Sequence, residues 1–160
     1  MRANLIDLAV VTTPMSLKKP LEKIPLSKCK EILICGPKYS YLTDIAKSLK
    51  DLTEIPLISL SEGTGTYDLY NKFYIAHSVP FTPDMEVATT DQIIPMITHN
   101  LGIGFYPEDL ATELIEDKKV FPINIEEKLP IREVCLVINK SSAMSTSVQK
   151  FYNFLRNSVS

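Results

Sequence analysis

The chain has 160 residues, 45% hydrophobic and 22% charged with both signs mixed, which suits one globular domain or two small lobes and argues against disorder. Its net charge is −2, and the 17 basic residues, with arginine only at Arg2, Arg132 and Arg156, form no continuous stripe that could track phosphates. Tight DNA binding by this chain alone is therefore not expected.

The first apolar run, Leu5 to Val11, reads as a buried strand with Asp7 inside it, closed by Thr12, Thr13 and Pro14. A connector containing Pro14, Pro20 and Pro25 follows, and Glu31 to Cys35 forms a second strand stopped by Gly36-Pro37. From Ser40 onward Leu42, Ile45, Ala46 and Leu49 recur at helical spacing, which predicts an amphipathic helix. Ile55 to Leu60 is a third strand. The polar turn 61–66 then opens a helix with Tyr67, Leu69, Tyr70, Phe73 and Tyr74 on its apolar side.

Met85 to Ala88 is a short strand, and Thr89, Thr90 and Asp91 are cap candidates for a helix buried through Ile93, Ile94 and Ile97. Pro95 places the start of that helix close by, since only the first turn tolerates a residue without an N–H. Asn100 suits a left-handed residue after the helix. Leu101 to Tyr106 is a strand stopped by Pro107, a short helix spans Glu108 to Ile115, and a further run covers Val120 to Ile125. A strand at Val134 to Ile138 and a closing helix with Val148, Phe151, Tyr152 and Leu155 on one face end the chain. Alternating strands and helices predict an α/β fold rich in parallel pairing, with one lobe built on Ile55–Leu60, Met85–Ala88 and Leu101–Tyr106 and covered by Tyr70, Phe73, Ile93 and Ile97.

Cys29, Cys35 and Cys135 lie among apolar residues without CxxC spacing and read as buried reduced thiols. His77 and His99 are isolated, so no metal site is expected. No apolar run nears the roughly 20 residues a bilayer needs, and Met1 to Val11 lacks the order of a secretory signal. A cytoplasmic protein with no membrane partner is the expectation.

The run Val87-Ala88-Thr89-Thr90-Asp91-Gln92-Ile93-Ile94-Pro95-Met96-Ile97-Thr98-His99-Asn100-Leu101-Gly102-Ile103-Gly104-Phe105-Tyr106-Pro107 resembles the most recognisable stretch of LysR-type transcription regulators, with Asn100 in place of the first glycine of a Gly-Leu-Gly-Ile turn. Asp7-Leu8-Ala9-Val10-Val11-Thr12 is similar to that family's Asp-Leu-Ala-Ile strand, and Ile131 to Asn139 with the final helix is similar to its return strand and last helix. The resemblance implies a type II periplasmic-binding-protein-like α/β fold of two lobes with mixed, parallel-rich sheets, the first lobe incomplete. It assigns 1–52 to that partial first lobe, 53–128 to the second lobe, and 129–160 to the return strand and final helix of the first. It further implies a small polar or anionic effector held between lobes, a homodimer or higher homo-oligomer, and DNA contacts made only by an N-terminal winged helix-turn-helix that is absent from this sequence.

In parallel-rich sheets ligands collect beyond the carboxyl ends of strands, and the turns there are rich in threonine: Thr12 and Thr13, Thr64 and Thr66, Thr89 and Thr90. Ser61 to Thr66 is the strongest local candidate, because amides at a helix N-terminus suit an anion, although capping by Ser61 or Thr64 accounts for the same residues. No Lys-Ser or Lys-Thr pair follows the glycines, which excludes a nucleotide-binding P-loop. Phe105 is a candidate to close the pocket, or simply core. No nucleophile and base, and no carboxylate pair beside an electrophile, is recognisable, so neither an enzyme nor a cofactor is expected. The alternative class is a solute-binding protein of transport with the same fold.

Overall fold

The computed structural model describes residues 7–141 and 144–158; Leu5 and Ile6 of the first expected strand lie outside them. The chain divides into two compact units, one made of 1–29 with 132–160 and the other of 30–131. The expected boundaries at 52 and 128 thus move to 29 and 131. The cause is Glu31 to Cys35, which pairs with strands of the later unit and carries the following segment with it.

The first unit is an antiparallel sheet in which β1 (Leu8–Thr12) and β2 (Leu21–Cys29) flank the central strand β8 (Arg132–Asn139). Cys135, Leu136, Val137 and Ile138 are consecutive and all buried, as a centre strand covered on both faces requires. β2 replaces the connector expected there. Pro25 hid it, since proline cannot donate to a ladder, yet β2 is an edge strand and its pairing shifts register between Pro25 and Ser27, two settings that accept proline. The closing helix α4 (Thr146–Ser158) forms as expected, although Phe151 remains 45% exposed.

In the second unit five strands run in the order β5-β4-β6-β3-β7, where β3 is Glu31–Cys35, β4 Leu57–Leu60, β5 Met85–Val87, β6 Ile103–Pro107 and β7 Phe121–Ile123. β4 pairs in parallel with both β5 and β6, as the sequence led one to expect. β3 runs antiparallel to β6 and β7, so parallel pairing is confined to three strands and the sheet is mixed.

Successive residues of β3 feed opposite faces of this sheet, as a pleated strand dictates. Leu33 and Cys35 join a cluster with Tyr70, Phe73 and Tyr74 of α1 (Gly65–Ala76), whereas Ile34 joins Ile93 and Ile97 of α2 (Ile93–Thr98) and Ala111 of α3 (Glu108–Glu116). Pro95 is the third residue of α2, inside the first turn, where its missing N–H costs nothing. Asn100 follows at φ 61°, the left-handed exit expected of it.

The amphipathic helix expected from Ser40 does not form. Two 3-10 turns, Pro37–Thr43 and Leu49–Leu52, take its place, and Ile45 is 66% exposed. Tertiary hydrogen bonds override the periodicity: Lys47 donates its amide to the Asn124 carbonyl and accepts from the Glu126 amide, which holds it extended. Ser48 and Asp51 then cap each other reciprocally and start the second turn. Leu42 and Leu49 still reach the core. None of the three cysteines forms a disulfide; Cys35 and Cys135 are buried as expected whereas Cys29 is only half-buried, and burial pushes Cys35 up to about 11.

Candidate functional site

Only three polar or charged residues are buried among the described residues: Glu31 at 4% exposure, Ser59 at 6% and Arg132 at 7%. Buried polar side chains are costly unless satisfied, so their positions are informative. Glu31 and Ser59 lie in one hollow of the second unit, with Thr66, Tyr70, Thr90 and Phe105 on its walls and Ile58 and Ile93 as its aliphatic lining. The hollow is small, with a cavity volume of about 10 Å³, room for about one water molecule.

The topology places it. β4 and β6 run in parallel and end here, and β3 begins here because it runs the other way. The result is the carboxyl edge of the parallel strands, where the following helices begin and where such sheets bind ligands. Ser59 comes from the end of β4, Glu31 from the first position of β3, Thr66 and Tyr70 from α1, and Thr90 from the 3-10 turn Thr90–Gln92.

Inside the hollow the Tyr70 hydroxyl donates to the Glu31 carboxylate, and the Tyr70 ring stacks on Phe105 with centroids 4.0 Å apart and planes 10° from parallel. Phe105 is therefore both core and wall. A larger hollow of about 180 Å³ opens at the opposite, amino-terminal edge of β4 and β6, near Tyr74 and Asp84. None of the expected site residues lines it.

The turn 61–66 is arranged mainly for its own structure. Thr64 is the N-cap of α1: its hydroxyl donates to the Ser61 carbonyl at 2.8 Å and accepts from the Tyr67 amide at 3.2 Å. Ser61 donates its hydroxyl to the Val87 carbonyl, and the Glu62 amide donates to the Glu86 carboxylate. Capping accounts for Thr64, and Thr64→Val should lower stability by about 1 kcal/mol, read from the urea midpoint. An unchanged midpoint would mean the cap contributes nothing. Beyond the turn, Gln92 accepts from the amides of Ala88 and Thr89 and so orders the loop that carries Thr90.

Thr12 and Thr13 belong to the first unit. Both are held by Arg132, whose Nη2 donates to the Thr12 hydroxyl at 2.8 Å and whose Nε donates to the Thr13 carbonyl at 2.6 Å. The Thr13 hydroxyl accepts from the Glu133 amide. No group of three or more His, Cys, Asp or Glu placed to hold a metal occurs among the described residues, and no described helix is long and apolar enough to cross a membrane.

The sequence matches the family model of the LysR substrate binding domain over residues 1–160. The chain belongs to the LysR substrate-binding domain family. Solved structures of similar shape include the CcmR regulatory domain of Synechocystis PCC6803 in complex with 2-PG, at 17% identity and TM-score 0.82 over 98% of this chain and 74% of that one. The effector binding domain of QuiR in complex with shikimate matches at 17% identity and TM-score 0.81, covering 96% and 71% of the two chains. The regulatory domain of MetR from N. meningitidis matches at 19% and 0.71, covering 94% and 71%. A comparison with curated proteins gives no match. At these identities the structural likeness shows the fold, which is type II periplasmic-binding-protein-like, while the family model shows an effector-binding domain of LysR type.

Within this LysR substrate-binding domain, Thr66, Thr90 and Phe105 are the expected residues that meet in one hollow. Ser61 and Thr64 stand beside it in the turn, and Thr89 precedes Thr90. Glu31, Ser59, Tyr70 and Arg132 were not singled out from sequence. For Glu31 a signal existed: a carboxylate at the head of a run otherwise as apolar as Ile32 to Cys35.

Proposed function

We propose that this domain senses a small polar metabolite whose binding at the hollow of the second unit controls transcription through a helix-turn-helix domain. The observation that carries this reading is the joint placement of Glu31 and Ser59, two of the three buried polar side chains, at the carboxyl edge of parallel strands in one opening. Thr66 and Thr90 add hydroxyls able to donate and accept, and Phe105 with Tyr70 supplies a flat apolar wall. The effector complexes of 2-PG and shikimate in domains of the same fold support it. A homodimer is part of the same proposal.

Ligands that prefer the folded state raise its stability, by about 2.7 kcal/mol at a hundredfold excess over Kd. A thermal-shift series with amino acids, polyamines, sugar alcohols, shikimate, 2-PG and aromatic acids should therefore give a concentration-dependent rise in Tm for at least one compound. The domain itself should show no tight, salt-sensitive complex with duplex DNA by fluorescence anisotropy, because a net charge of −2 gives little counterion release. A flat thermal series together with tight DNA binding would overturn the reading.

A further inference from the structure

The hollow of about 180 Å³ lies at the amino-terminal edge of β4 and β6, and every residue lining it belongs to the second unit. An aliphatic cavity of roughly 150 Å³ is enough for a benzene-sized ring, so a small molecule fits here. The walls come from the 3-10 turn Leu49–Leu52, from Leu57 and Ile103 at the starts of β4 and β6, and from Tyr74 near the end of α1. Leu49, Leu52, Leu57 and Ile103 are all buried, which makes the floor aliphatic.

Tyr74 is the unusual member. The residue is 5% exposed, and its ring is held edge-to-face by Phe73, Phe81 and Phe105 at centroid distances of 6.1, 5.0 and 6.3 Å. Among the described residues its hydroxyl has no hydrogen-bond partner, and no side-chain oxygen or nitrogen sealed from solvent lacks one. The hydroxyl therefore keeps an opening, and the opening that Tyr74 borders is this hollow. Buried tyrosine hydroxyls normally find a partner. One held rigidly and left unpaired, at the wall of an aliphatic hollow of ligand size, is what a binding place requires.

The nearby charges set the ligand class. Burial, and then the charge of Glu127, hold the Tyr74 phenol far above its ordinary range, so it stays a neutral hydroxyl that can donate one hydrogen bond and accept another. Glu127 is anchored by the Leu49 amide at 3.0 and 3.1 Å, and Asp84, on the rim, by the Leu57 amide at 2.9 Å. No lysine, arginine or histidine lines the hollow. An anion would enter against two carboxylates with no counter-charge. An ammonium would have to leave water for an aliphatic floor whose one buried polar side chain is a neutral hydroxyl.

We propose that this hollow is a second small-molecule site, which takes an uncharged compound with a compact apolar body of about six to eight non-hydrogen atoms and one alcohol or carbonyl oxygen paired with the Tyr74 hydroxyl. Nothing in this depends on the hollow at the carboxyl edge.

The test titrates benzyl alcohol, cyclohexanone, toluene and benzoate into the 160-residue chain, with calorimetry for affinity and amide chemical shifts for location. The alcohol and the ketone should bind with a Kd of about a millimolar or tighter, as well-seated ligands of this size do. The amides of Leu52, Leu57 and Ile103 should shift more than those of Ser61, Thr66 and Thr90, and benzoate should bind weakest. Tyr74→Phe keeps the ring and removes a hydroxyl that the fold does not use, so its urea midpoint should equal or exceed the parent's. In that variant the alcohol and the ketone should lose roughly three- to ten-fold in affinity, the loss of one neutral hydrogen bond, while toluene is unaffected. Equal losses for toluene and benzyl alcohol overturn the proposal, as does a lowered midpoint, which would show that the hydroxyl serves the fold. Tightest binding by benzoate overturns it too, and so does an absence of shifts at Leu52, Leu57 and Ile103 with every probe up to about 10 mM, well past the expected Kd. The comparison of probes on the parent protein needs no variant, so the proposal can fail even where Tyr74→Phe does not fold.

Discussion

Alanine at Gly36 should destabilise the second unit by roughly 3 kcal/mol, toward the upper end of overpacking costs. A Cβ added there would stand 2.2 Å from the Ile97 carbonyl oxygen and 2.7 Å from Oδ1 of Asn100. Neither neighbour can step aside cheaply. The first is backbone of α2, and the second accepts the Lys38 amide at 2.8 Å, which ties the end of α2 to the segment after β3. Relief of the clash must displace α2, and α2 carries Ile93 of the hollow's lining directly after the turn that holds Thr90. Gly36→Ala should thus weaken any stabilisation by ligand as well as lower the urea midpoint. Gly63→Ala is the comparison: nothing lies within 4 Å of its added Cβ, and only its φ of 85° is unfavourable, which costs about 1 kcal/mol. Equal midpoints for the two variants would show that the close approach of Gly36 to α2 is not a constraint.

The parts of this fold that could be read in the sequence are those where local pattern and tertiary setting agree. β4, β5 and β6 are apolar runs bounded by turns, α1 begins at a threonine cap, and Asn100 leaves α2 left-handed. In each case a local preference and the global fold ask for the same conformation. The two misreadings arise where they part. The spacing of Leu42, Ile45, Ala46 and Leu49 fits a helix, but Lys47 is taken up in backbone pairing with the segment around Ile125, a bond between residues far apart that no local window contains. β2 has the opposite fault, because Pro25 argues against a strand locally while the edge of the sheet tolerates it.

The site was legible to the extent that strand ends and helix starts are legible. Thr66 and Thr90 were expected because hydroxyls cluster in such turns, and they line one hollow together with Phe105. Glu31 and Tyr70 are 39 residues apart and come together only when β3 and α1 pack on one face of the sheet. Periodicity gives Tyr70 its face but not its partner. Thr64 shows the converse. It does not line the hollow, and its hydroxyl is engaged by the Ser61 carbonyl and the Tyr67 amide at the start of α1.

Arg132 is the residue whose loss should be felt most in the first unit. It lies at the first position of β8, 7% exposed, and two of its donors reach across the β1–β8 pair to Thr12 and Thr13. Replacement by methionine keeps an unbranched apolar stem but removes the charge-assisted bonds to Thr12 and Thr13 and strands the Thr13 carbonyl, so a loss of roughly 2–4 kcal/mol is expected. Lysine should recover only part of this, because a single ammonium on a flexible stem cannot present two fixed donors to a carbonyl and a hydroxyl at once. The backbone ladder gives a second readout: the Thr13 amide donates to the Glu133 carbonyl at 2.9 Å, and its hydrogen exchange should accelerate in Arg132→Met more than that of Ala9, which is paired with Val137 in the same phase of the ladder. The Thr12 hydroxyl accepts from Arg132 and keeps its own proton to donate, so the guanidinium fixes where that proton can point. Arg132→Met with a midpoint within about 0.5 kcal/mol of the parent, the range of ordinary surface substitutions, would show that the guanidinium adds nothing to the join between β1 and β8.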